Sequence, residues 1–324
     1  MTFAKKTIDR SLTSGLAVGV IGALAAWGVP SASAQSCAAT PPAMTAWWPA
    51  NGNATDIIAN HRGTLNGGVT FAPGVVGAAF DFDGSSGYVE VPTSPALQPP
   101  SAISLAAWIY PTALPASPYS AFMIGKYNSF DMSQGVSWSV VLLATGQIQF
   151  EVREQTYVYW DATTVGSVTL DQWQHMAATF DTSTQAMAIY VNGAAVPISM
   201  TGTGPVTSIY QSTAAVMFGA DYAGFTDGLG SYYAGLIDEA QIFGVALTPS
   251  QVAAISAAGS SGVCPPTWRA SHPYFKGDEV HDPAKHIQAV ETAGTSGVTR
   301  PSWNDAGGTT SDGTVVWKDR GLEP

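Results

Sequence analysis

Residues 171–196 constrain the fold of this 324-residue chain more than any other stretch. Within them, Gln174, Met176, Ala178 and Phe180 fall on one side of an extended strand, and Trp173, His175, Ala177 and Thr179 on the other. Both sides carry apolar residues, which suits a strand in the middle of a two-sheet sandwich. A polar break at 181–185 leads into a second short strand over 186–191. Asn192-Gly193 then predicts a two-residue hairpin, because both central positions of a type I′ turn need positive φ. The stretch encodes three antiparallel strands joined by tight turns.

The same grammar runs through the middle of the chain. Strands are predicted at 63–71, 78–82, 88–91, 103–110, 137–143, 147–152 and 156–160, punctuated by Asp83-Gly84, Pro111 and Thr145-Gly146. Such short spacing indicates an all-β sandwich, and 34 glycines with 21 prolines supply the turns it needs. One helix is predicted, over 248–257, with Thr248 as N-cap, Pro249 as its first residue, and Val252 and Ile255 as its apolar stripe. Residues 259–262 form a Gly/Ser link.

Trp173-Gln-His-Met-Ala-Ala-Thr-Phe-Asp followed by Ile189-Tyr-Val-Asn-Gly resembles the signature of laminin-G-like, concanavalin-A-like jelly-roll domains of secreted bacterial proteins. Four further segments agree in order. They begin at Ala46-Trp-Trp-Pro, Ala79-Phe-Asp-Phe-Asp-Gly with Tyr88-Val-Glu-Val-Pro, Ile103-Ser-Leu-Ala-Ala-Trp-Ile, and Gly235-Leu-Ile-Asp-Glu. The resemblance covers residues 45–258 and implies a two-sheet antiparallel jelly-roll sandwich, a fold that does not by itself fix function. It also implies a structural Ca²⁺ site where the first strand meets the last, held by Asp56 and Asp238 with Asn53 as a further donor. The alternative is that Asp56 caps a turn and Asp238 pairs with a backbone group or Arg62.

The ends carry different signals. A basic start, an apolar run at 16–29 and Ala32-Ser-Ala34 read as a signal peptide over 1–34, so the expected location is secreted or extracellular, with periplasm and cell surface as variants. No later segment is long and apolar enough to span a bilayer. Cys37 and Cys264, the two cysteines of the chain, bracket the sandwich at 37–264 and are expected to pair in an oxidising compartment; two free thiols are the alternative. Residues 265–324 read as a small β module. Its Trp268, Tyr274 and Gly277-Asp-Glu-Val280 resemble chitin- and cellulose-binding modules, but later paired tryptophans are missing; the unit also resembles short β modules of surface proteins and phage tails. Residues 37–264 hold fourteen acids against Arg62, Lys126 and Arg153, which argues against nucleic acid or anionic lipid and leaves neutral glycans and divalent cations as partners.

Catalytic motifs are missing. The Glu-x-Asp-x-Glu spacing that retaining glucanases of this architecture use is not present, and Glu151 with Glu154, or Asp238 with Glu239, fall on opposite strand faces. His175 is assigned to packing and hydrogen bonding. Sugar contact is assigned to the Gly-rich loop 221–233, through Tyr222, Phe225 and Tyr232 beside Asp221 and Asp227, with 157–160 as a second aromatic segment; ordinary loop anchoring is the alternative for the tyrosines. The leading expectation is a non-enzymatic protein that binds or adheres to carbohydrate or a cell-surface glycan or protein. The runner-up is a glycan-active enzyme or its accessory subunit, and the third is a structural surface component.

Overall fold

The computed structural model describes residues 37–322 apart from 117, 129–134, 156–157 and 223–228. The signal-peptide expectation, Tyr157, Phe225 and Asp227 therefore lie outside the described residues. No helix among those described is long and apolar enough to cross a membrane.

Two antiparallel sheets form the sandwich. One orders its strands as Ala194–Ala195, Ala186–Val191, Gln174–Asp181, Ala102–Pro111, Ala234–Phe243, Ala78–Asp83 and Thr70–Pro73, with Met44–Trp48 also paired to Ala234–Phe243. The other orders Ile198–Gly202, Val158–Thr164, Ile148–Gln155, Gly135–Leu143, Ser120–Asn128, Val216–Phe218, Tyr88–Val91 and Thr64–Asn66. A small hairpin, Asp221–Tyr222 with Leu229–Gly230, extends this second sheet beside Ser120–Asn128. This is the all-β sandwich that the strand pattern predicts, in the jelly-roll form that the resemblance implies.

The strand Gln174–Asp181 sits where its two-sided apolar pattern requires. Met176, Ala178 and Phe180 join the core between the sheets, with Trp48, Trp138, Phe150 and Phe218. Ala177, on the opposite side, is covered by Trp47, Tyr190, Phe243 and the helix residues Val252 and Ile255. The helix runs Pro249–Ala258 behind a capping box between Thr248 and Gln251. Asn192 and Gly193 take φ of 50° and 79°, the hairpin conformation predicted for them.

Parts of the sandwich depart from the expectation, among them the unpredicted strands Ile198–Gly202 and Val216–Phe218. The single strand predicted over 63–71 is two strands in different sheets, Thr64–Asn66 and Thr70–Pro73. Gly67 makes the crossing at φ 59°, where an added Cβ would lie 2.0 Å from the Ser86 carbonyl oxygen. Ser120–Asn128 was not foreseen, because Ala121, Phe122, Met123 and Ile124 form an unbroken buried run rather than an alternation.

The C-terminal residues form their own four-stranded sheet, in the order Glu279–His281, His286–Thr292, Val315–Leu322 and Thr309–Asp312. One face packs on Tyr274, Val280, Val290, Val315 and Trp317, with Trp268 and Trp303 against them. Asp312 anchors this core, accepting from the indoles of Trp268 at 2.6 Å and Trp317 at 3.1 Å. The aromatic residues behind the resemblance to sugar-binding modules are thus spent on a core, with Tyr274 buried.

Candidate functional site

In the second sheet, alternate residues leave the core and line its other face. Registered pairs carry a row across that face through Glu90, Met217, Gly125, Ser139, Glu151 and Asp161. Their chain neighbours Val89, Phe218, Ile124, Val140, Phe150 and Ala162 all point into the core, so the period-2 alternation of each strand places the row outside it.

One end of the row is aromatic. Tyr88 and Glu90 share a strand face, and the charge of Glu90 is felt by both Tyr88 and Tyr222, while Tyr232 is felt by Tyr88. Burial, and then Glu90, push the phenols of Tyr88 and Tyr222 up, so both are neutral hydrogen-bond donors. Tyr232 also lines a hollow of about 350 Å³ with Leu114, Pro115 and Tyr119, and Tyr119 is 69% exposed. Asp221 lies beneath, buried, with Oδ1 lacking a hydrogen-bond partner. Burial pushes its carboxyl up to about 6 against a hydrogen bond from Ser231. Tyr233, the third tyrosine of this loop, turns into the core against Phe82. Of the predicted sugar contacts, Asp221, Tyr222 and Tyr232 are placed together. Tyr88, Glu90 and Tyr119 join them from strands and loops distant in sequence.

The other end of the row is a carboxylate pair. Glu151 and Asp161 are direct partners across adjacent antiparallel strands, which puts their Cβ atoms about 5 Å apart. The guanidinium of Arg153 bonds Glu151 and lies over the Tyr159 ring at 5.0 Å. Burial pushes Glu151 up, with Arg153 opposing it. Asp161 is pushed up to about 7, by burial first and then by the charge of Glu151. Trp160, on the same strand, faces inward and donates to Gln185 Oε1.

The three residues assigned to calcium are placed differently from that expectation. Asp56 is buried and its carboxylate is filled by N–H donors: Oδ1 accepts from Trp47 and Ile58, both at 2.8 Å. Its Oδ2 accepts from Ala59 at 3.0 Å and His61 at 3.3 Å, and lies 2.6 Å from His61 Nδ1. Asn53 Oδ1 accepts from Thr55 at 2.8 Å. Asp238 Oδ2 accepts from Val75 and Val76, leaving Oδ1 alone without a partner. A hard cation needs six to eight oxygens, and this arrangement leaves one, so the residues do not fit it. Asp56 caps its turn, and Asp238 pairs with backbone, not with Arg62. Arg62 instead lies 3.8 Å over the Phe275 ring. Among the described residues, the His, Cys, Asp and Glu atoms that converge as metal ligands belong to Cys37, Cys264 and His281, and both sulfurs there are committed to a disulfide.

His175 takes the packing role expected of it, edge-on to Trp108 at 5.2 Å. Burial pulls its pKa down to about 4, so it is neutral. Trp138 is core, whereas Trp108 and Trp173 are half-buried on the outer face of the first sheet.

No curated protein matches the chain. Among solved structures it is similar to the binding domain of botulinum neurotoxin serotype D/C VPI 5993, with TM-score 0.52 and 15% identity over 85% of this chain and 70% of that one. The binding domain of botulinum neurotoxin DC, solved with rat synaptotagmin II, has TM-score 0.52 and 14% identity over the same shares, 85% and 70%. Domain 4 of an extracellular arabinanase from Geobacillus stearothermophilus, solved with arabinotriose, has TM-score 0.49 and 22% identity over 65% of this chain and 96% of that one. At such identities the likeness concerns the fold alone. The laminin-G family model described as the concanavalin A-like lectin/glucanases superfamily matches residues 83–253, and the chain belongs to that family.

Proposed function

We propose that this is an exported, non-enzymatic binding protein that holds a saccharide on the tyrosine-rich end of its second sheet. The observation that carries the reading is the convergence of Tyr88, Glu90, Tyr222 and Tyr232 beside the hollow rimmed by Tyr119. Tyrosine rings offer apolar faces to the C–H faces of a sugar ring, and neutral phenols with one carboxylate supply the hydroxyl contacts. A concave site with a few convergent polar groups is the usual form of a small-ligand pocket. Export is supported by the N-terminal signal pattern and by the Cys37–Cys264 bond. The binding domains that share the fold make recognition a natural use of it.

Retention on immobilised polysaccharides tests this directly. Tyr222→Ala and Tyr232→Ala are each expected to weaken binding about 5- to 10-fold, the equivalent of ~1 kcal/mol of aromatic contact. Their melting temperatures should stay close to that of the parent, because both side chains are partly exposed. Unchanged retention in both variants would remove the site.

A second reading has its own observation, the Glu151–Asp161 pair. Retaining glycosidases place two carboxyls about 5 Å apart, one charged and one protonated. An Asp161 held near neutrality is suited to the acid role. Reducing-sugar release by the parent, lost in Asp161→Asn, would establish it over the binding reading.

A further inference from the structure

The described part of this acidic chain contains nine lysines and arginines, and four of them border one hollow. Arg62 from the sandwich meets Lys276, Lys318 and Arg320 from the C-terminal residues around a volume of about 580 Å³. The carboxylate on the same wall is Glu291. A second hollow of about 510 Å³ adjoins it, sharing Asn51, Gly52, Gly277 and Arg320, so the two make one groove. From this we infer that the groove between the sandwich and the C-terminal sheet binds an acidic oligosaccharide through the carboxylates of its sugar rings.

The cations are held for contact rather than for internal pairing. Arg62 stacks on Phe275, which fixes the plane of its guanidinium and leaves the N–H edge without a hydrogen bond among the described residues. Three ion pairs described in this protein, Asp56–His61, Glu151–Arg153 and Asp319–His286, use none of the four. Lys318 donates to the Gly307 carbonyl oxygen at 2.6 Å, which steadies it. Two acids lie within reach of the cations: Glu279, on the second hollow, feels the charge of Arg320, and buried Asp278 feels that of Arg62. A planar guanidinium fork matches a carboxylate in two parallel hydrogen bonds, and a point-charge lysine adds attraction without that geometry.

The groove is built, not incidental. Asn53 donates to the Lys276 carbonyl oxygen, and Arg269 Nη1 donates to the Ile58 carbonyl oxygen at 2.8 Å. Gly277 has φ 94°, and an added Cβ would lie 2.5 Å from the Asn51 carbonyl oxygen. Only glycine permits so close an approach of the two backbones there. The joined hollows, about 580 and 510 Å³, have room for several sugar units, and the four cations suit a negative charge on them. The choice of a sugar as carrier of that charge rests on the glycan-binding role proposed above; the cationic groove itself does not.

Calorimetric titration of the exported protein with short oligogalacturonates, their fully methyl-esterified forms and a single-stranded oligonucleotide tests the inference. The free acids are expected to bind, with affinity falling as salt rises, and the esters to bind at least ~10-fold more weakly. Arg62→Ala and Arg320→Ala should each cost ~10-fold or more, and Arg62→Lys should recover part of the loss. Exposed Lys276→Ala should weaken binding without moving the melting temperature, which keeps the test valid should an arginine variant misfold. Tyr222→Ala should leave this affinity unchanged, so failure at the tyrosine site and failure at the groove remain distinguishable. Equal binding of acid and ester, unaltered affinity in the charge variants, or equally tight binding of the oligonucleotide would each overturn the proposal.

Discussion

Reduction of the Cys37–Cys264 disulfide is expected to lower the melting temperature by about 10 °C, the equivalent of ~5 kcal/mol in the chain-entropy limit. The size follows from the loop. The bond spans 227 residues, so it removes a large closure entropy from the unfolded chain. It also ties together backbone that would otherwise fray: Ala38 donates to the Gly262 carbonyl oxygen at 2.9 Å, and Cys264 donates to that of Ala38 at 2.8 Å. Among the described residues, Met44–Trp48 is the first strand and pairs with Ala234–Phe243 alone, so the start of the sandwich is held by the segment that leads to Cys264. His281 of the C-terminal sheet lies close to both sulfurs, which places the clasp under that sheet as well. Scanning calorimetry of Cys37→Ser/Cys264→Ser against the oxidised parent measures the effect. A difference under ~2 °C would show that the sheet contacts alone hold the two ends together.

What could be read from the sequence was local or periodic. The Asn192-Gly193 turn, the Thr248 N-cap before Pro249–Ala258 and the alternation along Gln174–Asp181 each lie within one or two turns of chain, and each is found where it was expected. The strand Ser120–Asn128 escaped because its inner and outer residues are alike apolar, so no period marks it. Asp56 carries two readings in sequence, cation ligand or turn cap, because a carboxylate after a Gly-Asn turn looks the same in both; the groups that surround it, from Trp47, Ile58, Ala59 and His61, are those of the cap. The tyrosine patch was half legible, as the loop bearing Tyr222 and Tyr232. Tyr88 and Glu90 reach it through sheet pairing, which no single-strand pattern contains. The Glu151–Asp161 pair depends on the register of two strands. The groove depends on Arg62 meeting Arg320 from the far end of the chain. Pairing across sequence distance is what tertiary structure adds, and all three sites are made of it.

Acidification from pH 8 to pH 5 is expected to raise the melting temperature, by at least ~5 °C, in contrast to proteins whose acids are mostly ion-paired. The cause is a set of carboxyls that burial leaves without enough compensating partners. Burial pushes Asp161 and Asp278 up to about 7 and Asp221 up to about 6. It also pushes Glu151, Glu279 and the adjacent pair Asp238 and Glu239 upward. Each of these groups binds its proton more tightly folded than unfolded. Between the unfolded range near 4 and the folded values of 6 to 7, the native state therefore holds extra protons, and stability falls as pH rises through that window. His175 acts in the opposite sense, since its folded value of about 4 lies below the unfolded 6.5 and costs stability as pH falls between them. His272, lowered by burial and by Arg269, acts with it, so two imidazoles stand against seven carboxyls and the acids set the slope. Lys126, lowered to about 8 by burial, changes charge mainly above this window. Below pH 4 the trend should reverse, because Ser86, Ser85 and Gly87 hold Asp83 well below the usual carboxylate range, so the unfolded chain takes up a proton there that the folded one does not. Asp161→Asn removes one contributor while keeping the shape of the side chain. Its melting temperature should exceed that of the parent at pH 8 and converge with it near pH 5. A parent curve that is flat or rises from pH 5 to pH 8 would mean that these carboxyls are better solvated than their positions in the sheets imply.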